Sequence, residues 1–251
     1  MILTNKLYYI LRVGDFATNA NTKIYYSMFS CLLCLDDYIT QNSTDCFIIM
    51  IYSTFIWTFI EFLLHITKTR VIQPMFLYSY NHRYKLPNYI GLFLQGFQEG
   101  GCITTIGLYF GDRIFDFNSL IFLHILIIFI VCNVYFKHRV NNCTSKRLVN
   151  SFGSLSLMSL ITLYNFKTFY LYPIHSFRQL KMLFIMIYVS SFWTLIVWYK
   201  GFRTIEVYIQ DKQNYEIIIR KNGLNTFYIL SYDVIFEIGM AYLFFYNILI
   251  H

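Results

Sequence analysis

The chain consists of long apolar runs that are separated by short polar segments. A membrane-spanning helix needs about 20 consecutive, mostly apolar residues. Five runs meet this requirement well, whereas one is diluted by serine and threonine and the first is short of apolar residues. All three prolines fall between the runs, as expected because proline interrupts helix interiors. The predicted spans are 24–39, 46–65, 88–110, 117–136, 148–166, 182–199 and 224–250.

This pattern predicts an all-α polytopic membrane protein, a bundle of six to seven transmembrane helices that forms a single domain over residues 1–251. Composition agrees, because hydrophobic residues make up 57% of the chain, charged residues 13%, and the mean hydropathy is +0.49. Soluble domains carry about a quarter charged residues. The net charge of +7 is dispersed along the chain, which argues against a nucleic-acid partner. We expect an integral, multi-pass location with the lipid bilayer as the main partner.

The distribution of lysine and arginine orients the helices. If 24–39 spans the membrane, the N-terminus and the three loops on its side carry 16 basic residues and the opposite side carries 4. Without that span, 13 basic residues lie on one side of the membrane and 7 on the other. Because cytoplasmic loops carry an excess of lysine and arginine, seven helices with the N-terminus inside and the C-terminus outside are favoured. Six helices are the alternative.

One loop has the composition of a β-hairpin. Residues 204–221 place β-branched and aromatic residues on both sides of the polar turn Asp211–Asn214. We therefore predict a short, hairpin-like cytoplasmic loop before the last helix. It would cap the inner ends of the helices or provide a docking surface.

Apart from Asp36 and Asp37 at the outer end of the first, the predicted spans contain four acidic residues and no lysine or arginine. An ionisable group in the hydrocarbon is costly, which makes it a candidate functional residue. Depths counted at about 1.5 Å per residue from the cytoplasmic helix ends place several polar groups in one layer near the middle of the membrane. The predicted midplane cluster for a proton, ion or metal consists of Glu99, His124, Asp233, Glu237, Gln95 and Gln98, and Glu61 with His65 forms a secondary pair.

Acids without a cationic side chain at their depth must be protonated, pair with histidine, or bind a cation. We therefore expect at least one of Glu99, Asp233 and Glu237 to be neutral or cation-bound, and all three to face the interior of the bundle. The helix that carries Glu99 also contains Gly96-x-x-x-Gly100 and Gly107-x-x-x-Gly111, which permit close approach of a neighbouring helix.

Three functions fit these features. The first is a proton- or cation-coupled carrier of a small solute that uses the acidic midplane site. The second is a non-catalytic membrane subunit or scaffold of a larger complex, with membrane-protein partners. The third is an intramembrane lipid-modifying enzyme that uses a metal at His124 and the carboxylates, or Glu61 with His65 as an acid–base pair. The sequence contains no H-E-x-x-H, G-x-S-x-G or P-loop motif, and it identifies neither a cofactor nor a catalytic residue.

Overall fold

The computed structural model describes residues 6–14, 17–72, 74–80, 82–137, 143–149, 152–210, 215–218 and 224–250. This part of the chain is mostly helical and contains seven helices. The first four are α1 (Ala20–Gln41), α2 (Asp45–Ile66), α3 (Asn88–Gly96, π-helical Phe97–Cys102, then Ile103–Asp112) and α4 (Phe117–Phe136). The last three are α5 (Phe152–Leu171), α6 (Pro173–Tyr199) and α7 (Leu224–Ser231, π-helical Tyr232–Ala241, then 3₁₀-helical Phe244–Leu249).

Each predicted span falls on one of these helices. The bounds of α4 are those predicted, and the doubtful run at 24–39 lies within the 22-residue helix α1. The largest difference is in α6, which begins at Pro173 rather than at residue 182. Proline is well suited to the first turn of a helix, because its missing N–H is not needed there.

Four helical segments in the described residues are long and apolar enough to cross a membrane. They are Asp45–Ile66 in α2, Phe117–Phe136 in α4, Pro173–Tyr199 in α6 and Ile229–Leu249 in α7. This finding supports the predicted class of helical membrane protein. It does not extend to the six or seven spans that the sequence predicts.

A five-stranded antiparallel sheet lies against one end of the helices. The strands of the chain are β1 (Lys6–Val13), β2 (Arg70–Ile72), β3 (Phe76–Ser79), β4 (His82–Lys85), β5 (Cys143–Leu148), β6 (Arg203–Gln210) and β7 (Tyr215–Ile218). The order in the large sheet is β2-β5-β1-β6-β7, and β3 and β4 form a separate hairpin. The predicted hairpin is confirmed as β6 and β7, although its turn, Asp211–Asn214, lies outside the described residues. The sequence did not predict the other strands of the sheet.

The two faces of the large sheet have different neighbours. Ile10 of β1 and Ile205 of β6 are directly paired and pack with Ile229 and Tyr232 of α7. Residues two apart on a strand share a face, so Arg12 lies on this helix-facing side together with Ile10. The opposite face carries Tyr9, Lys146 and Tyr208, and the Lys146 ammonium donates a hydrogen bond to the Tyr208 hydroxyl at 2.8 Å.

Helix α3 packs closely against α2, as its glycine spacing predicts. A Cβ atom at Gly100 would lie 2.6 Å from the carbonyl oxygen of Ser53 and 2.7 Å from Cβ of Trp57. Only glycine fits this crossing, because the nearest atoms belong to the backbone and to the base of a side chain. The close approach places the middle of α3 inside the bundle.

Ion pairs join the helix ends that lie away from the sheet. Arg113, just after α3, donates to Asp37 of α1 at 2.8 Å. Arg178 of α6 binds Asp112 of α3 at 2.7 Å and Asp45 of α2 at 2.5 Å. The end of α1, the start of α2, the end of α3 and the start of α6 therefore meet at one end of the bundle.

Candidate functional site

Four strands of the sheet each place an arginine against the helices. These residues are Arg12 of β1, Arg70 of β2, Arg147 of β5 and Arg203 of β6. The strand register sets Arg12 directly opposite Arg203, and Arg70 directly opposite Arg147. Like charges in opposite positions destabilise a sheet, so this arrangement requires negative partners from elsewhere.

Glu99 of α3 is the most heavily bonded of those partners. Its carboxylate accepts two hydrogen bonds from Arg70 and one from Arg12, each at 2.8 Å. The indole N–H of Trp57 donates a fourth at 3.3 Å. Arg70 also bonds to Glu61 of α2, so one guanidinium joins two helices to the sheet. The bidentate geometry is the strong form of an arginine–carboxylate pair.

The two acids of α7 have arginine partners of their own. Arg203 Nη1 lies 2.6 Å from Asp233 Oδ2, and Arg203 Nη2 donates to Asp233 Oδ1 at 2.9 Å. Arg147 forms an ion pair with Glu237. Asp233 and Glu237 lie one helical turn apart on α7. Because Arg203 belongs to β6 and Arg147 to β5, the two strands that flank β1 both bind to α7.

A fifth cation enters from the start of α1. The Lys23 side chain is buried, and its ammonium group donates to Gln95 Oε1 at 2.5 Å and to Gln98 Oε1 at 2.7 Å. No carboxylate among the described residues forms a salt bridge with it. We call the whole set the charged layer, which consists of Arg12, Lys23, Arg70, Arg147 and Arg203 with Glu61, Glu99, Asp233 and Glu237.

The charged layer overturns the expectation that the acids lack cationic partners. Glu99, Asp233 and Glu237 each form an ion pair with arginine, so none of them needs to be neutral or to bind a free cation. The expectation failed because the arginines are not in the spans. They come from loop strands that fold back onto the helix ends. The accompanying prediction that these three acids face the bundle interior is confirmed, since all three are buried.

The two histidines of the predicted sites lie apart from these acids. His124 of α4 is exposed, and its ring bonds to the Leu120 carbonyl oxygen at 2.6 Å and to the Tyr188 hydroxyl at 3.1 Å. His65 is exposed as well, while its predicted partner Glu61 is buried against Arg70. His124 is therefore not part of the predicted midplane cluster, and Glu61 pairs with Arg70 rather than with His65. Among the described residues, no group of three or more His, Cys, Asp or Glu side chains could hold a metal ion.

Burial and neighbouring charges act differently on the individual arginines. Burial lowers the pKa of Arg70, but the carboxylates of Glu61 and Glu99 more than offset this, so its pKa lies above the ordinary value. Burial lowers the pKa of Arg147, and the charge of Arg70 adds to the effect. Burial also lowers the pKa of Arg203. Arginine remains charged at neutral pH in all three cases, because its ordinary pKa is above 12.

Both helices that supply the central acids depart from regular α-helical geometry at those acids. Glu99 lies in the π-helical turn Phe97–Cys102, and Asp233 and Glu237 lie in the π-helical segment Tyr232–Ala241. A π-helical turn inserts a residue and re-aims the side chains around it, and such turns are frequent at functional sites. Because both π-helical segments contain acids of the charged layer, α3 and α7 are the helices most directly associated with the candidate site.

A cavity of about 140 Å³ adjoins the charged layer. Its charged and amide lining residues are Arg12, Gln98, Glu99, Arg203, Asp233 and Glu237. The remaining walls are mainly apolar and come from α1, α3, α4, α6 and α7. Among the residues of those walls are Tyr26, Ile106, Ile130, Met186, Trp193 and Ile238. The cavity therefore combines charged and apolar lining residues.

Comparison of the chain with protein-family models, with curated proteins and with solved structures finds no match.

Sequence reasoning found all four acids of the site but missed its five cations. The loop arginines were interpreted only as topology markers on the cytoplasmic side. A usable signal was present, because Arg12 and Arg203 stand beside β-branched or aromatic residues in short segments that alternate as strands do. Lys23 was missed because it stands just before the first predicted span.

Proposed function

We propose that the protein is a seven-helix membrane protein that binds a single-chain amphiphile with an anionic head group. The observation that carries this proposal is the cavity at the charged layer, which Arg12 and Arg203 line beside their carboxylate partners, with mainly apolar walls around the rest. Three features support the proposal, namely the topology of the helices, the charge of the site and the lining of the cavity.

The direction of the helices supports seven crossings. Helices α2, α4 and α6 are each long and apolar enough to cross a membrane, and each leads into a strand of the large sheet. For all three to end on the same side, the chain must return across the membrane between them. Among the described helices, α3 lies between α2 and α4 in sequence and α5 lies between α4 and α6, so these two would make the return. Helix α1 likewise leads from β1 to the far end of the bundle. The positive-inside pattern then puts the sheet in the cytoplasm or its organellar equivalent.

The charge of the site favours an anion. Five cationic side chains face four carboxylates in the charged layer, and each carboxylate already has an arginine partner. Among the described residues, Lys23 donates its hydrogen bonds to two neutral amide oxygens, and burial lowers its pKa to about 7. Arg12, which lines the cavity, has 28% of its side chain exposed. An anionic group at Arg12 would favour the charged form of Lys23 and compensate its positive charge in a region of low dielectric constant.

The mixed charged and apolar lining of the cavity favours an amphiphile over a wholly polar solute. Pockets that enclose a whole drug-sized ligand measure roughly 300–1,000 Å³, which is well above the volume found here. We therefore assign to the cavity the head group and the first carbons of the chain. The rest of the chain would lie between the helices, in contact with apolar walls such as Met186 and Trp193.

Quenching of tryptophan fluorescence tests this function. Trp193 lines the cavity, so a brominated fatty acid added to the protein in non-ionic detergent should quench its emission, and Trp193→Phe should remove that quenching. Arg12→Gln should weaken binding of the acid by roughly 10- to 100-fold, since hydrogen bonds to charged groups contribute about 1.5–3 kcal/mol. The brominated alcohol of the same length should bind weakly to both forms. Lys146→Gln, on the opposite face of the sheet, is the charge-matched control.

Equal binding of the acid and the alcohol would contradict the anion site, and quenching that persists in Trp193→Phe would contradict the cavity. Tags at both termini test the topology. Protease protection should place them on opposite sides of the membrane, and tags on the same side would exclude seven crossings.

A proton- or cation-coupled carrier is the second candidate, because Glu99, Asp233 and Glu237 all line the same cavity. A passing cation would have to displace an arginine from its carboxylate in this mechanism. Proton flux through the unmodified protein in vesicles distinguishes the candidates, since a carrier should show it and an amphiphile-binding protein should not. The lipid-modifying enzyme would share the amphiphile as substrate, whereas a scaffold would show no quenching by either probe.

A further inference from the structure

The segment between α2 and α3 forms a hairpin that stands apart from the large sheet. Strands β3 and β4 pair from Phe76 with Lys85 to Ser79 with His82. All four residues of β4 are exposed, and Tyr80 at the tip is fully exposed with a positive φ of 45°. This hairpin is independent of the cavity and of the charged layer.

The hairpin combines exposed basic and aromatic side chains. The basic residues are His82, Arg83 and Lys85, and the chain from Thr67 to Pro87 contains no aspartate or glutamate. The exposed aromatic residues are Tyr78, Tyr80 and Tyr84. Tyrosine is enriched at membrane–water interfaces, and basic residues near an anionic leaflet each contribute about 1 kcal/mol to attraction.

The hairpin lies close to where the chain re-enters the bundle. Lys85 precedes the start of α3 at Asn88 by three residues, which fully extended chain can separate by only about 11 Å. The first turns of α3 expose Tyr89 and Phe93. These exposed aromatic side chains indicate that this side of α3 faces lipid, so the hairpin is next to the bilayer surface.

Hydrogen bonds to the backbone of the hairpin hold it against α1 and the residues just before α1. The Asn21 side chain of α1 donates to the Tyr78 carbonyl oxygen at 2.7 Å and accepts from the Tyr78 N–H at 2.8 Å. The Phe76 N–H donates to the Thr18 carbonyl oxygen at 2.8 Å. Because the hairpin is preorganised, little conformational entropy would be lost when its surface binds.

We propose that the β3–β4 hairpin binds the anionic phospholipid head groups of the leaflet on the sheet side. The basic side chains would contact phosphates and carboxylates, and the tyrosine rings would sit among the head groups. The complementarity of charge selects this occupant, since the segment offers only positive charge. The consequence is that the protein distinguishes an anionic leaflet from a neutral one.

An environment-sensitive probe at the tip of the hairpin tests the proposal. The exposed thiols Cys132 and Cys143 are first replaced by serine, and Tyr80→Cys is then labelled with nitrobenzoxadiazole in the full-length chain. The protein is reconstituted in vesicles of phosphatidylcholine with or without 30% phosphatidylglycerol. We expect a blue shift of the emission only with phosphatidylglycerol, and reversal of the shift in about 1 M salt, where the Debye length is about 3 Å.

Charge variants separate the hairpin from the overall charge of the protein. Arg83→Gln with Lys85→Gln should reduce the ratio of embedded to free hairpin by roughly 30-fold, which corresponds to about 1 kcal/mol for each basic residue. Lys137→Gln with Lys200→Gln removes the same charge from the same predicted side and should leave the shift intact.

Three results would overturn the proposal. They are equal emission in both kinds of vesicle, a shift that persists in the Arg83/Lys85 variant, and an equal loss of the shift in the Lys137/Lys200 control. The comparison of lipids and salt in the chain with native charges needs no charge variant, so it decides the question even if a variant fails to fold.

Discussion

Replacing Glu99 by glutamine should destabilise the protein strongly, although glutamine has nearly the same shape. The Glu99 carboxylate receives two hydrogen bonds from Arg70, one from Arg12 and one from Trp57. Without its charge, Arg12 has no carboxylate partner among the described residues, and Arg70 has only Glu61. Removing one partner of a buried ion pair costs about 3–5 kcal/mol, because a buried charge is left uncompensated.

The free energy of unfolding can be measured by titration with sodium dodecyl sulfate in mixed micelles. A double-mutant cycle with Arg70→Met isolates the pair, and the double variant should be destabilised by about 2–3 kcal/mol less than the sum of the single variants. Glu206→Gln is the matched control. Its carboxylate is half-buried on the opposite face of the sheet, so we expect a loss of about 1 kcal/mol or less.

A loss below about 1 kcal/mol for Glu99→Gln, with no coupling to Arg70, would refute the argument from ion pairing. In that case the buried acid would already be neutral, as the sequence alone suggested. The same measurement therefore decides between an ion-paired layer and a protonated one.

Two further predictions concern the helices. Gly100→Ala should destabilise the bundle by about 1–3 kcal/mol through overpacking against Ser53, whereas Gly153→Ala, with nothing within 4 Å, should be neutral or slightly stabilising in the same titration. Asp116 caps α4, and hydrogen bonds from the Ser119 hydroxyl and backbone N–H hold its pKa below the ordinary value. Its stabilisation is therefore present above about pH 3.9 and is lost as the pH falls through the lower pKa of the folded state. Asp116→Asn keeps a capping oxygen but should flatten the change in melting temperature below pH 4, and parallel melting curves for the two proteins would contradict this assignment.

The helices could be predicted from the sequence because long apolar runs have few alternatives in a membrane. The acids could be predicted for a related reason, since a charge such as Asp233 stands out against its apolar neighbours. The hairpin of β6 and β7 was visible because its two strands adjoin one turn. Strand β2 has only three residues, Arg70–Ile72, and its partner β5 lies on the far side of α3 and α4 in sequence. Pairing between strands that are so far apart in sequence leaves no pattern within either strand that could predict it.

The charged layer could not be predicted for the same reason. Arg147 and Glu237 are far apart in the chain, and only the folded sheet brings them together. Counting residues from the helix ends predicts that the acids lie in the middle of the membrane, because this method assumes that the membrane surface lies at each helix end. The sheet instead reaches the acids through its arginine side chains. The length of arginine, which can carry its charge several carbon–carbon bonds away from the backbone, makes this contact feasible.

The central position of β1 in the sheet has a consequence for how the protein is made. A ribosome produces this strand first, yet its neighbour β6 pairs Ile205 with Ile10 and appears only after six of the described helices have been synthesised. Until then β1 has an unpaired edge in the aqueous phase, and such edges tend to associate with other chains. If the seven helices cross the membrane as proposed, the sheet closes only when β1 and the three sheet-side loops lie on the same side. Closure of the sheet would then act as a check on membrane insertion, because a chain in which one helix fails to cross leaves at least one strand on the wrong side.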